Sequence, residues 1–363
     1  MSMRGVLCAA GGRRATRHKR GLIVGFGLLA SVASAAVLAA PPALALEPGS
    51  GHGAPAAKFP PNLSGESVTF ADGSPPAVSD TQLYLMTEFL AKWGAKTNIV
   101  NETGDPAAVT VVLAGDANAA YISTGDVIDS HLVAFGPAQP RLDYQFVTAP
   151  SIAKMSELAG HTFGWSNPHG IEAEMFGALL DKYHIARSKV TTELAGSSSV
   201  REAALLTGRI QATFLSTSEW EAVNAEHKGY HDLAVMGTVE PSMADSMMAA
   251  SSSFLAKNPI LAVAIDEAWL EAAHVFQTSP SQWVTAALKY TAGTATRADA
   301  VEQLKAFKVD GAFPYSASAF SASAAEANEK DAAAVGALTS KPALSVWFKG
   351  NFWNEAVAAV VGG

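Results

Sequence analysis

Two pairs of side chains have the spacing of reactive or metal-binding groups. His227 and His231 stand four apart in the run His227-Lys228-Gly229-Tyr230-His231, and His169 lies three residues before Glu172. Histidines one helical turn apart can share a zinc ion, and a histidine beside a carboxylate can move a proton. The surrounding residues favour plainer readings. Gly229 and Tyr230 make the first pair a solvated loop with no third ligand nearby. The second pair opens a helix, which accounts for both residues without chemistry. The chain has no Gly-x-Ser-x-Gly elbow, phosphate loop or Gly-x-Gly-x-x-Gly run. Its one cysteine, Cys8, excludes a disulfide scaffold and a cysteine-rich metal centre. No catalytic residue, metal site or cofactor is expected.

Polar residues gather instead in four short segments: Asp72-Gly73-Ser74-Pro75, Ser123-Thr124-Gly125-Asp126, Ser166-Asn167-Pro168-His169-Gly170 and Ser216-Thr217-Ser218. Their hydroxyls, amides and glycines suit recognition of a small solute by backbone N–H groups and short donors at helix starts, where the dipole favours an anion. The same residue types are also ordinary helix caps that need no ligand. In the third segment Asn167 is expected to cap and Pro168 to begin a helix, leaving the amides of His169, Gly170 and Ile171 free. Glu172 and Glu174 in the first turns would then oppose an anion. Trp165 and Trp220 flank two of the segments, and Tyr121 ends the strand before another; each is either a ligand wall or core. None of the four contains Arg or Lys. That disfavours phosphate and multivalent acids, which recruit bidentate Arg, and leaves a monoanion, a zwitterion or a neutral heterocycle.

These segments are positioned by alternating strands and helices. Val68–Ala71 reads as a strand, Thr81–Trp93 as a helix stopped by Gly94, Lys96–Val100 as a strand, Asp105–Leu113 as a helix ending at Gly115, and Ala117–Ser123 as a strand. The pattern returns with a short helix in Ile152–Gly160, strands at His161–Trp165, Val190–Leu194 and Ile210–Leu215, and helices at Ile171–His184 and Val200–Thr207. Two α/β modules in series are expected, each a mostly parallel sheet flanked by helices. From Pro259 the chain reads as helices opened by Asn258-Pro259 and Ser279-Pro280.

The chain has 363 residues, 49% of them hydrophobic, and a net charge of −8. The acidic balance argues against nucleic acid as a partner. Residues 1–20 carry six basic side chains and no acid; Gly21–Ala40 is apolar, and Ala43-Leu44-Ala45 fits a signal-peptidase site. Residues 1–45 are therefore expected to be a cleaved secretory signal, with retention of residues 21–40 as a membrane anchor the alternative. Cleavage leaves 318 residues without cysteine and a net charge near −14. Residues 46–65 read as a flexible lead-in.

Several segments occur together in an order that resembles the periplasmic substrate-binding proteins of ABC importers, in the branch handling nitrate, sulfonates, taurine and thiamine-precursor pyrimidines. They are Val68–Pro76, Lys92-Trp93-Gly94-Ala95-Lys96, Glu157–Gly164, Ala204–Ala212 and Phe254-Leu255-Ala256-Lys257-Asn258-Pro259. The likeness spans roughly residues 67–349. Asn118 and Gln211 stand where the family usually has Asp.

The resemblance implies a two-lobed type 2 periplasmic-binding fold. Lobe one would comprise residues 66–149 and the returning residues 246–363 with C-terminal helices, and lobe two residues 150–245. The crossings near Thr148–Ser151 and Glu240–Ala244 would form the hinge. The protein would be a monomer that captures a sulfonate-, nitrate- or taurine-like anion and delivers it to a membrane permease, in the periplasm or outside the cell. The ligand-binding set would be Asp72, Gly73, Ser74, Tyr121, Ser123, Thr124, Trp165, Ser166, Asn167, His169, Gly170, Ser216, Thr217 and Trp220. The alternatives are a binder of a neutral or zwitterionic heterocycle such as a thiamine-precursor pyrimidine, a secreted enzyme, or an anchored sensory module using the same cleft. A pyrimidine-synthesising relative carries a cysteine cluster, which the exported chain lacks.

Overall fold

The computed structural model describes residues 59–334 and 336–362. The expected signal, its cleavage site and residues 46–58 of the lead-in lie outside the described residues. No helix among the described residues is long and apolar enough to cross a membrane.

The first half of the first lobe comprises β1 (Ser67–Asp72), α1 (Thr81–Lys92), β2 (Lys96–Asn101), α2 (Asp105–Ala114), β3 (Ala119–Ile122), α3 (Thr124–Ser130) and β4 (Val133–Gln139). The second lobe follows with β5 (Tyr144–Thr148), β6 (Thr162–Trp165), α4 (Ile171–Lys182), β7 (Thr191–Leu194), α5 (Ser198–Leu206), β8 (Ala212–Ser216), α6 (Thr217–Glu226), β9 (His231–Val235) and α7 (Met236–Val239). The chain then returns through β10 (Ser246–Ala250), α8 (Ser252–Lys257), α9 (Pro259–Thr278), α10 (Pro280–Tyr290), α11 (Arg297–Asp310), α12 (Ala322–Ala334), α13 (Leu344–Trp347) and α14 (Asn351–Val360). The expected helix stops at Gly94 and Gly115 hold, both glycines taking left-handed backbone (φ +108° and +86°). The expected helix in Ile152–Gly160 is reduced to one 3₁₀ turn, Met155–Glu157.

The strands form two five-stranded sheets, ordered β2-β1-β3-β10-β4 and β7-β6-β8-β5-β9. Both are mixed by the same device. β10 runs antiparallel to β3 and β4, and β5 runs antiparallel to β8 and β9, while the other four strands of each sheet share one direction. Each odd strand is the first after the chain changes sheets. The first change therefore lies at Pro140–Asp143, upstream of the expected Thr148–Ser151, because Tyr144–Thr148 already pairs within the second sheet. The second lies at Glu240–Asp245. The two segments are tied together: the Asp245 amide donates to the Gln139 carbonyl (3.0 Å), and the Gln139 amide donates to Ser246 Oγ (3.2 Å).

Each lobe has its own apolar core. In the first, α9 lies buried along its length, and Trp269, Trp283, Phe307 and Phe313 pack around Phe276 and Trp353. The Trp269 indole keeps its N–H satisfied on the Ala138 carbonyl at 3.0 Å. In the second, Phe163 stacks on Phe176 with centroids 4.0 Å apart, and Phe146, Phe214 and Trp165 surround the pair.

The two departures from the family pattern have a structural use. Asn118 Oδ1 accepts from the Thr69 amide (2.7 Å), and Gln211 Oε1 accepts from the Thr162 amide (3.1 Å). In each lobe an amide oxygen before a central strand receives an N–H of its parallel neighbour, with the same separation of 49 residues. The amide does what a carboxylate would do there. We predict that Asn118→Ala destabilises the protein by about 1–3 kcal/mol, the cost of a stranded N–H, and that Asn118→Asp costs less. Urea unfolding of both variants checks this.

Candidate functional site

In sheets whose strands run mainly one way, the carboxyl ends of the strands leave a crevice where helices begin. Here two such edges face each other across a cavity of about 1180 Å³. The first lobe contributes Asp72–Pro75 and Val78–Asp80 after β1, Thr103–Pro106 after β2, and Tyr121–Ser123 at the end of β3. The second contributes Ser166, Asn167 and Gly170–Glu172 after β6, Gly196–Ser198 with Arg201 and Glu202 after β7, and Ser216, Ser218 and Glu219 after β8. Gln139, Asp143, Tyr144, Asp245 and Ser246 form the wall at the two crossings. Asp299, Glu302 and Gln303 of α11 close one side.

The loops hold one another in place. Asp105, the first residue of α2, accepts the Ser123 amide (2.9 Å), and a Cβ on Gly73 would stand 2.7 Å from the Asp105 nitrogen. Asp72 Oδ1 accepts both the amide (3.2 Å) and hydroxyl (3.1 Å) of Ser74, while Asn101 Nδ2 donates to the Ser74 carbonyl (2.7 Å). Ser216 forms a capping box with Glu219, whose carboxylate also accepts from Ser198 Oγ at 2.6 Å. Across the cleft, a Cβ on Gly125 would lie 2.8 Å from the His169 carbonyl oxygen, so α3 and the Ser166–Gly170 loop meet backbone to backbone.

The C-terminal helices do more than cap the first lobe. Gln303 of α11 donates to Asp143 Oδ2 (3.3 Å) and accepts from Ser218 Oγ (2.7 Å). Asn328 of α12 receives the Ala244 amide (3.0 Å), donates to the Ala244 carbonyl (2.7 Å), and lies 3.4 Å from Glu174 Oε2. Both helices therefore bridge the crossings and the second lobe.

Charge is the site's dominant property. Ten carboxylates line the cavity and one cation does, Arg201. Arg201 is 3% exposed and already occupied: its Nη1 lies 3.0 Å from Glu172 Oε1 and donates to the Gly196 carbonyl, leaving only Nε without a partner. Glu172 is completed by Ser166 Oγ at 2.6 Å. Burial, then the field of Asp80, raises the Asp72 carboxyl to about 8. Burial, then Asp310 and Glu219, raises Asp143 to about 7. Asp245 is driven well above the usual carboxylate range by burial and then by Asp143. Glu174, outside the cavity, rises to about 8 through burial. Among the described residues no three acidic or histidine side chains converge closely enough to hold a metal ion.

Residues 86–283 match the family model described as NMT1/THI5 like, more than half of the chain. The chain belongs to the NMT1/THI5-like family. No curated protein matches it. Among solved structures it is similar to the alkanesulfonate-binding protein of Xanthomonas axonopodis pv. citri bound to MOPS, with TM-score 0.63 and 11% identity over 79% of this chain and 99% of that one. It is similar to the periplasmic aliphatic sulphonate-binding protein of Escherichia coli, with TM-score 0.61 and 15% identity over 79% and 95%. The periplasmic nitrate-binding protein of Synechocystis PCC 6803 aligns with TM-score 0.61 and 11% identity over 81% and 89%. At these identities the likeness establishes the two-lobed periplasmic-binding fold.

In this NMT1/THI5-like chain the cavity brings together nine of the expected ligand residues: Asp72, Gly73, Ser74, Tyr121, Ser123, Ser166, Asn167, Gly170 and Ser216. The other five lie elsewhere. Thr124 is fully buried in the first turn of α3. Trp165 belongs to the second core, edge-on to Phe163. Trp220 packs against a satellite cluster around Leu205 and Val223. The Thr217 hydroxyl donates to the Asp143 carbonyl (3.0 Å) and accepts from Gln145 (2.9 Å). His169 Nδ1 pairs with the Ala337 carbonyl at 2.9 Å.

Helix α4 begins at Ile171 with Gly170 as its cap, not at Pro168, because Asn167 Oδ1 takes the His169 amide in a tight local turn (2.9 Å). The sequence reading missed the loops after β2 and β7, and with them Arg201. The run Gly196-Ser197-Ser198-Ser199 carries the same signal as the four polar segments.

Two outcomes follow from the charges. Glu172→Gln strands a buried guanidinium and should cost about 3–5 kcal/mol in chemical denaturation. Carboxyls raised in the folded state hold protons that the unfolded chain releases near pH 4. The folded chain therefore binds more protons between about pH 4 and 8, so its stability falls as pH rises through that window. The ligand-free protein should melt higher at pH 5.5 than at pH 8, which calorimetry reads directly.

Proposed function

We propose that this protein is the exported solute-binding component of an ABC importer, closing its two lobes over a small solute and presenting it to a membrane permease. The observation carrying this reading is the shared cavity. Corresponding strand-to-helix loops of both lobes supply its walls, and the chain segments between the lobes supply its floor. A solute touching both lobes completes its contacts only in the closed arrangement and so draws the population towards it. Hydroxyls and amides of Ser74, Ser123, Ser166, Asn167 and Ser216 serve as directional partners. Pro140–Asp143 and Glu240–Asp245 absorb the backbone rotation on closure. Membership of the family and the fold shared with sulfonate- and nitrate-binding proteins support the reading.

Native mass spectrometry of protein purified from its own host should find a bound small molecule that is released unaltered. Adding it back to saturation should reduce the radius of gyration in solution scattering. An altered product would point to an enzyme, and an unchanged radius would remove the closure mechanism.

A further inference from the structure

An anion entering this cavity meets ten carboxylates and a guanidinium already paired with one of them. Nine acids remain against a single free Nε–H, several of them holding protons in the empty cleft that a bound cation, unlike an anion, would displace. Against that balance, the four polar segments alone do not carry recognition of a sulfonate or nitrate.

Two tyrosines, Tyr121 and Tyr144, also line the cavity. Tyr121 on β3 pairs in register with Asp72 on parallel β1, so ring and carboxyl project side by side from one face of the first sheet. Its hydroxyl is buried without a hydrogen-bond partner, a costly state unless something else fills the space beside it. Tyr144 opens β5 immediately after Asp143, on the second lobe's side of the first crossing. Asp245 ends the second crossing, tied to the first through Gln139. Its field reaches both phenols, raising Tyr144 first through that charge and Tyr121 through burial and then that charge. Aromatic faces beside carboxylates are the arrangement that binds an ammonium or similar organic cation, because the ring faces and the acids both present negative potential.

Resting on the import reading above, we infer that the solute is a small organic cation, its charged nitrogen seated between the Tyr121 and Tyr144 rings and the carboxylates of Asp72, Asp143 and Asp245. The dispersed carboxylates do not converge on a metal ion, and the cavity is large for an inorganic ion. Tyr121 and Asp72 belong to one lobe, Tyr144 to the other, and Asp143 and Asp245 to the segments between them. A cation at their centre is therefore held fully only when the lobes are closed.

The test is thermal shift and isothermal titration of the exported chain at low ionic strength and at about pH 8.5, above the raised carboxyls of Asp72 and Asp143. The probes are tetramethylammonium, choline and spermidine chlorides, set against sodium nitrate, sodium methanesulfonate and magnesium chloride. At least one organic cation should raise the melting midpoint. Asp72→Asn and Asp245→Asn should each weaken its binding at least tenfold, while their ligand-free midpoints stay level or rise. The inference fails if none of the three cations binds, if nitrate, methanesulfonate or magnesium binds instead, or if both variants bind as the parent does. It also fails, with the import reading intact, if the solute co-purified from the host carries no positive centre. Chemical conversion of that solute would instead overturn the import reading itself.

Discussion

Mutual repulsion among carboxylates in a poorly solvated cleft is the constraint on which the rest of this structure turns. Two unit charges 4 Å apart interact by about 4 kcal/mol at the effective dielectric of a protein surface, and burial strengthens the term. The molecule manages it with donors at every approach. Arg201 and Ser166 hold Glu172, and Gln139 and Gln303 hold Asp143. Ser74 folds back on Asp72, while the Ser123 amide supports Asp105. Where donors run short, protons take their place, as the raised carboxyls of Asp72 and Asp143 show.

The architecture that gathers these groups is one design used twice. In each lobe a side-chain amide before a central strand accepts the N–H of the parallel neighbour, through Asn118 in one and Gln211 in the other. In each, one strand opposes the rest and is the strand by which the chain arrives from the other lobe. That reversal brings Asp143 and Asp245, the residues just ahead of β5 and β10, to adjacent segments beneath the cavity. The acidic floor is thus a consequence of how the chain crosses between sheets.

Much of the fold was legible because local signals agreed with the global pattern. α1 and α4 carry helical periodicity, α2 is bounded by Pro106 and Gly115, and β1, β3 and β6 are short, largely apolar runs. β4 was not legible: Val133–Gln139 is buried throughout, so it shows no alternation, and it contains Gly136 and Pro137. β5 and β10 pair only with strands distant in sequence, which no local window reveals. At the site, the segments rich in Ser, Asn and Gly did mark the cavity's edge. Their charge environment was hidden because Asp143, Asp245, Asp299 and Glu302 arrive from the crossings and from α11. Trp165 and Trp220 take the core alternative for a related reason: lying next to a binding loop in sequence does not decide which face of the strand or helix a side chain takes.

In the proposed mechanism, closure and charge are two aspects of one equilibrium. Bringing the lobes together expels water from between Asp72, Asp143, Asp245 and Glu219, and lowering the local dielectric raises the cost of every like-charge pair. An empty cleft avoids that cost by keeping protons on Asp72 and Asp143, and α11 and α12 link the lobes through Gln303 and Asn328. A positive charge placed among the acids would favour their ionised forms, because the same loss of water strengthens each attraction to it. On the proposed reading a bound cation would thereby draw off the protons and favour the closed arrangement, with no separate latch required.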